Sequence, residues 1–262
     1  MTRPHRPPVR DVYLFGTCVI DLFMPRAGLD AVRVLESAGI VVHYPRGQSC
    51  CGQPAWSSGN PDEARAVAAA QLGLFPEPWP VVVPSGSCAG MMRTHWPELF
   101  QDDPVRGAQA RQLAGRIHEF AEFLTNVLGW TMPAAPPGAT AENVVLHTSC
   151  SARRESGTRT HGVALLDALP GVTRVEHERE SECCGFGGSF SLKHPDISGA
   201  MVADKIAAVQ ATGCRRVVSA DCACLLNIGH AARYQGAPVE VEHIASFVWR
   251  RMGAAHDPGE AA

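Results

Sequence analysis

The chain has 262 residues, 45% hydrophobic and 19% charged, which is enough apolar material for one large domain or two small ones with a substantial core. A formal net charge of −3, a pI near 6.4 and a low aromatic content supply no basic field for nucleic acid or an anionic membrane surface. No run approaches the roughly 18 apolar residues of a membrane span. The proline-broken start "MTRPHRPPVRDVYLFGTC" does not fit a signal peptide, so a cytoplasmic protein with no stable membrane insertion is expected.

In chain order, "VYLFGTC" reads as a short buried strand ending at Cys18. "QSCCGQPAWSSG" then sets Cys50 and Cys51 side by side before a glycine. Adjacent side chains of a strand point to opposite faces, so a loop must turn at the pair, and the glycine relieves that turn. "NPDEARAVAAAQLG" from Asn60 opens a helix, with Pro at its start, acids in the first turn and a closing Gly. "WPVVVPSGSC" is a second strand running to Cys88, and "HEFAEFLTNVL" from His118 closes the segment. A Pro-, Gly- and Ala-rich stretch, "GWTMPAAPPGATAEN", fits a linker.

Beyond the linker the pattern returns. "VVLHTSC" ends at Cys150, "ECCGFGGSFS" repeats the cysteine pair, and "HPDISGAMVADKIAAVQATG" repeats the helix. "CRRVVSADCAC" answers the strand before Cys88, and "EHIASFVWRRM" answers the closing helix. Cys150 follows Cys18 by 132 residues, Cys183 and Cys184 follow Cys50 and Cys51 by 133, and Cys224 follows Cys88 by 136. The expected architecture is α/β, a tandem repeat of two similar halves, each with a mainly parallel sheet and cysteines at the strand ends. The halves are expected at 9–129 and 143–252, with a linker at 130–142 and a tail at 253–262.

Ten cysteines without a secretory signal point to thiols or metal ligands rather than structural disulfides. Ligands of such sheets sit outside the carboxyl ends of the strands, so each half is expected to gather four thiols in one crevice. The matching offsets select Cys18, Cys50, Cys51 and Cys88 in the first half, and Cys150, Cys183, Cys184 and Cys224 in the second. Four converging thiolates suit an iron–sulfur cluster or zinc. Vicinal disulfides or buried structural cysteines are the plainer alternative. Cys214 has no counterpart in the first half and reads as a packing residue, while Cys222, answered by Gly86, is left out of the ligand set. His43, His147 and His230 read as polar residues satisfied within the fold, and "GFGGS" as backbone packed close to a site rather than a phosphate loop. Every repeated polar feature is a thiol or a turn residue, so no catalytic acid or base is assigned.

"CCGQPAWSSG", "PSGSCAGM", "CCGFGGSFSLKHP" and "DCACLLNIG" resemble the cysteine-rich CCG-domain proteins, in particular the small iron–sulfur subunits of L-lactate utilisation (lactate oxidation) complexes. The resemblance runs from about Val12 to Val248. It implies an electron-transfer subunit in the oxidation of L-lactate to pyruvate, not catalytic alone, beside other subunits that include a second iron–sulfur protein. One departure matters. The wider family places a Cys-x-x-Cys where this chain has Ser85 before Cys88 and Asp221 before Cys224, so the five-thiol noncubane cluster of heterodisulfide reductase does not carry over. Four thiols per half suit a 4Fe-4S cluster, with Asp221 a candidate oxygen ligand.

Three other readings remain: a heterodisulfide-reductase-like thiol/disulfide subunit using Cys222, a zinc-binding structural protein, and a Cys hydrolase built on a nucleophile elbow at Gly86-Ser87-Cys88-Ala89-Gly90. The two cysteine sets are further expected to open toward a shared interface, with Phe186 or Trp56 at its boundary.

Overall fold

The apolar runs become eight short strands in the computed structural model, which describes residues 9–132 and 135–253. β1 (Asp11–Leu14), β2 (Val41–His43), β3 (Val81–Val83) and β4 (Ile117–Glu119) form one sheet; β5 (Glu142–His147), β6 (Val172–Arg174), β7 (Arg216–Ser219) and β8 (Glu240–His243) form another. Their orders, β2-β1-β3-β4 and β6-β5-β7-β8, are the same topology written twice, and every pairing is parallel. Register repeats as well, with Asp11 opposite Val41 and Glu142 opposite Val172.

Alternation along each strand divides its side chains between two cores. Val12, Leu14 and Val82 of the first sheet meet Val144, Leu146 and Val218 of the second in one central cluster, so the halves share a core. On the other faces, Tyr13, Val81 and Val83 pack with Trp96, Phe75 and Leu113, and Val145 and Val217 with Ile206, Val209 and Leu225. Helix Ile244–Arg251 lies on helix Pro25–Ser37, and helix Thr158–Asp167 on helix Phe120–Glu122, two equivalent seams across the repeat. The helices expected after each cysteine pair run over Pro61–Gln71 and Pro195–Ala211, with proline at the start and acids in the first turn.

β5 begins at Glu142, the last residue of the expected linker, and Trp130 and Met132 pack against the central cluster. Most of the expected tail, 254–262, lies outside the described residues. Strand order reverses between β1 and β3 and again between β5 and β7. The crevice outside the carboxyl ends at such a reversal is where α/β sheets bind ligands.

Candidate metal centre

Each half brings its four matched cysteines to that crevice from three connections. Cys18 opens the helix after β1, Cys88 lies in the helix after β3, and Cys50 and Cys51 sit in the loop after β2. Cys150, Cys224 and the pair Cys183 and Cys184 follow β5, β7 and β6 in the same way. Sγ of Cys18 is 3.5 Å from that of Cys50, and Sγ of Cys51 is 3.3 Å from that of Cys88. In the second half Cys150 lies against Cys183 and Cys184 against Cys224. All eight line one cavity of about 210 Å³ between the halves. That is far beyond the roughly 10–15 Å³ that admits a single water.

The two loops are built alike. Gly52 and Gly185 both have φ of +87°, and a Cβ on them would stand 3.1 Å from the Ala64 carbonyl oxygen and 2.6 Å from that of Ser198. The turn therefore needs glycine for its left-handed backbone and for the close approach of the following helix. The second cysteine's carbonyl is held in each case, Cys51 by Trp96 Nε1 at 2.8 Å and Cys184 by Asn227 Nδ2 at 2.8 Å. Beneath the loops, Gln71 Oε1 accepts from Ser49 N at 3.1 Å, while Lys205 Nζ donates to the carbonyl of Glu182 at 2.8 Å and to that of Arg179.

Thiol electrostatics follow the same symmetry. The Cys18 thiol and the neighbouring Cys51 thiol push Cys50 well down, toward its thiolate, with help from the Gly52 N–H at 3.4 Å. The contact with Cys50 and burial push Cys18 up. Cys183 is likewise held down by Cys150 and Cys184, and Cys184 is raised by Cys183, Cys224 and burial. Each set therefore favours one thiolate, at Cys50 and at Cys183, while the thiols beside it hold their protons until a metal displaces them. Four thiols at such spacing, with the amides of Gly52 and Gly185 aimed at sulfur, fit a thiolate-bound metal or iron–sulfur group.

Comparison with known proteins agrees with this arrangement. The family model described as "Cysteine-rich domain" (CCG) matches twice, over residues 12–93 and 144–229. The chain belongs to the cysteine-rich CCG family. Among curated relatives, "Lactate utilization protein A" of Bacillus subtilis (strain 168) is 41% identical over 238 residues, spanning 90% of this chain and 98% of that one. The protein of the same name from Macrococcus caseolyticus is 39% identical over 243 residues, 93% of this chain and 98% of that one. A hypothetical protein from Helicobacter pylori shares the fold, with TM-score 0.66 at 11% identity over 96% of this chain and 50% of its own.

Several residues around the cysteines of this CCG protein are committed to packing or to bonds between the halves. Asp221 is buried between the halves and directs Oδ1 at Ser87 N, 2.9 Å, and Ser85 Oγ, 3.3 Å. The two residues that replace the extra cysteines thus bond to each other across the repeat. Gly86 and Gly90 answer a packing need, since a Cβ there would stand 2.7 Å from Ala152 Cβ and 2.5 Å from Glu155 Oε2 on helix Cys150–Ser156. Cys88 lacks the strained backbone of a nucleophile elbow: among the described residues the non-glycine with positive φ is Thr17, at 51° beside Cys18. Cys222 lines the cavity but packs on Ile20 and Ala27, and burial and Asp221 push its thiol up, opposite to what an attacking thiolate requires. Cys214 is buried in the outer core of the second half.

Phe186 lines the cavity, whereas the Trp56 ring lies tilted against His95, centroids 4.8 Å apart, and Phe190 against His194 at 5.3 Å. The two rings placed at the boundary by proximity in sequence therefore divide, because Trp56, on helix Gln53–Ser57, packs against the outer core of the first half. His147 is the largest correction. Its ring is buried with neither nitrogen hydrogen-bonded, and one nitrogen lies within 4.8 Å of the sulfurs of Cys184 and Cys224. Burial, then Lys205 and His177, hold it neutral, at about 3.

Proposed function

We propose that this chain is an electron-transfer subunit that holds a 4Fe-4S cluster in each half, on Cys18, Cys50, Cys51 and Cys88 and on Cys150, Cys183, Cys184 and Cys224. The observation that carries this reading is that eight thiols from two repeats line one cavity at the strand-order reversals. Bound there, the clusters supply one-electron redox chemistry. The protein holds the thiolates, directs backbone amides at Cys50 and Cys183, and screens the site with Phe186 and buried Cys222. The name of the relatives, lactate utilization protein A, supports a role in lactate utilisation, and we assign the chain to a complex oxidising L-lactate to pyruvate, beside other subunits that include a second iron–sulfur protein. Among the described residues no helix is long and apolar enough to cross a membrane, and we place the complex in the cytoplasm.

Zinc is the second reading, favoured by two sulfur–sulfur distances. Two thiolates on a tetrahedral ion with bonds of about 2.3 Å lie about 3.8 Å apart, near the 3.3 and 3.5 Å found in the first half. Iron and labile-sulfide analysis of anaerobically prepared protein separates the two: both elements present supports the redox reading, and zinc without sulfide overturns it. Cys214→Ser is expected to leave the cluster spectrum unchanged, whereas Cys51→Ser or Cys184→Ser removes the signal of its own half. Lactate oxidation by the isolated chain with an artificial acceptor would overturn its role as a dependent subunit.

A further inference from the structure

The repeat is not symmetric at its metal sites. Aligning Cys18 with Cys150 places Phe15 opposite His147, each three residues before its cysteine. Phe15 is fully buried, with Phe75 6.2 Å away, so the fold accepts an apolar ring at this position. His147 is 1% exposed, and neither ring nitrogen has a partner. A buried polar group left unpaired costs about 1–3 kcal/mol, and such groups in folded proteins mark a missing water, ion or functional contact. One ring nitrogen and the sulfurs of Cys184 and Cys224 lie mutually within 4.8 Å. A nitrogen and a sulfur bound to one tetrahedral metal atom are about 3.5 Å apart, given bonds of about 2.0 and 2.3 Å. These three atoms reach that arrangement with small side-chain movements.

On another side His147 lines a second, small cavity of about 10 Å³ together with Glu119 and Thr158. Glu119 Oε1 and Thr158 Oγ1 are themselves buried without a partner. A metal-bound imidazole almost always donates its other N–H to a carboxylate, carbonyl or water. Thr158 Oγ1, which lines the same small cavity, is available as such an acceptor. Lys205, standing where the first half has Gln71, adds a buried ammonium beneath the Cys183–Cys184 loop.

We infer that His147 is a nitrogen ligand of the second-half metal group, sharing one metal atom with Cys184 and Cys224, so that this site departs from the all-cysteine 4Fe-4S arrangement and the two sites of this chain are chemically distinct. The inference rests on the metal-binding reading above. A neutral imidazole and a nearby cation reduce the net negative charge of the second site, and iron–sulfur groups with histidine ligands have higher potentials than all-cysteine ones. The second site is thus the electron-accepting member of the pair.

The test uses full-length protein labelled with 15N-histidine, reconstituted anaerobically with iron and sulfide, reduced in steps and examined by pulsed EPR. The expected result is a directly coordinated 15N coupling in the species of higher potential. His147→Phe, which installs the first half's own residue, abolishes the coupling, and His147→Cys retains iron but moves that potential down. Iron and sulfide bound with no coordinated nitrogen in the wild-type protein overturns the inference while leaving the iron–sulfur reading intact, and needs no variant to fold. Uptake of zinc alone, with an X-ray absorption nitrogen shell lost in His147→Phe, upholds the ligand and overturns the iron–sulfur reading instead.

Discussion

At the scale of single residues, Asp221 and Gly185 separate a role in structure from a role in ligation. Asp221 accepts from Ser87 N and Ser85 Oγ, both in the first half. Asp221→Asn keeps an oxygen acceptor, so metal content is expected to remain that of wild type, whereas Asp221→Ala leaves the half-buried Ser87 N–H and the buried Ser85 hydroxyl without their acceptor and costs about 1–3 kcal/mol. Urea unfolding and metal analysis on the same samples check this; loss of metal in the asparagine variant would make Asp221 a ligand. Gly185→Ala meets both a φ of +87° and the Ser198 carbonyl oxygen at 2.6 Å from the new Cβ. The left-handed conformation alone costs about 1–2 kcal/mol. The loop must shift, so metal released to a chelator should come faster from the second site than from the first, with Gly52→Ala giving the reverse order.

At the scale of elements, the helices that close the two halves begin at equivalent positions with different caps. Glu119 Oε2 accepts from Ala121 N at 2.9 Å and Glu122 N at 3.1 Å. His243 Nδ1 accepts from Ala245 N at 3.2 Å while Nε2 donates across the repeat to the Pro84 carbonyl at 2.9 Å. Burial raises Glu119 to about 8, from 4.5, so the folded state holds a proton that the unfolded chain has released between those values. Its contribution is full below pH 4.5 and is lost as pH rises through about 8. Burial lowers His243 below 6.5, so its contribution is full above pH 6.5 and is lost as pH falls through the folded value. Thermal melts of the metal-free protein should therefore show Glu119→Gln flattening the decline toward pH 8 and His243→Gln flattening the decline below 6.5. A parallel shift at all pH values in either variant would assign that cap a role independent of its proton.

For the whole molecule, the shared central core ties the halves into one folding unit. Leu14, Val82, Phe120 and Phe123 of the first half are buried against Leu146, Val218, Ile244 and Phe247 of the second. A fragment ending near residue 129 would expose that face, so each half alone is expected to be unfolded or aggregated, and the two to recover structure when refolded together, as read by circular dichroism and size exclusion. Leu146→Ala should cost about 2–5 kcal/mol and lower stability at reporters in both halves within one transition. Separate midpoints, with the first half undisturbed, would show the halves to be independent.

The sequence by itself determined the repeat, the strands, the cysteines that end them and the family, because all of these are local. Strand alternation, helix starts at Pro61 and Pro195, and constant offsets between cysteines are legible without knowing which segments touch. The same offsets set His147 opposite Phe15, a polar-for-apolar exchange visible in the repeat whose meaning was not. Tertiary structure decided what depends on contacts between distant segments: that both cysteine sets line one cavity, that Trp56 turns away while Phe186 faces in, and that Asp221 bonds to Ser87, 134 residues away. It also decided that the glycines around Cys88 serve a helix crossing. Whether a buried polar group is satisfied depends on which atoms of other segments come within hydrogen-bonding distance. For His147 no such atom comes that close, and its nearest ligating neighbours are the sulfurs of Cys184 and Cys224, which only the folded chain brings beside it.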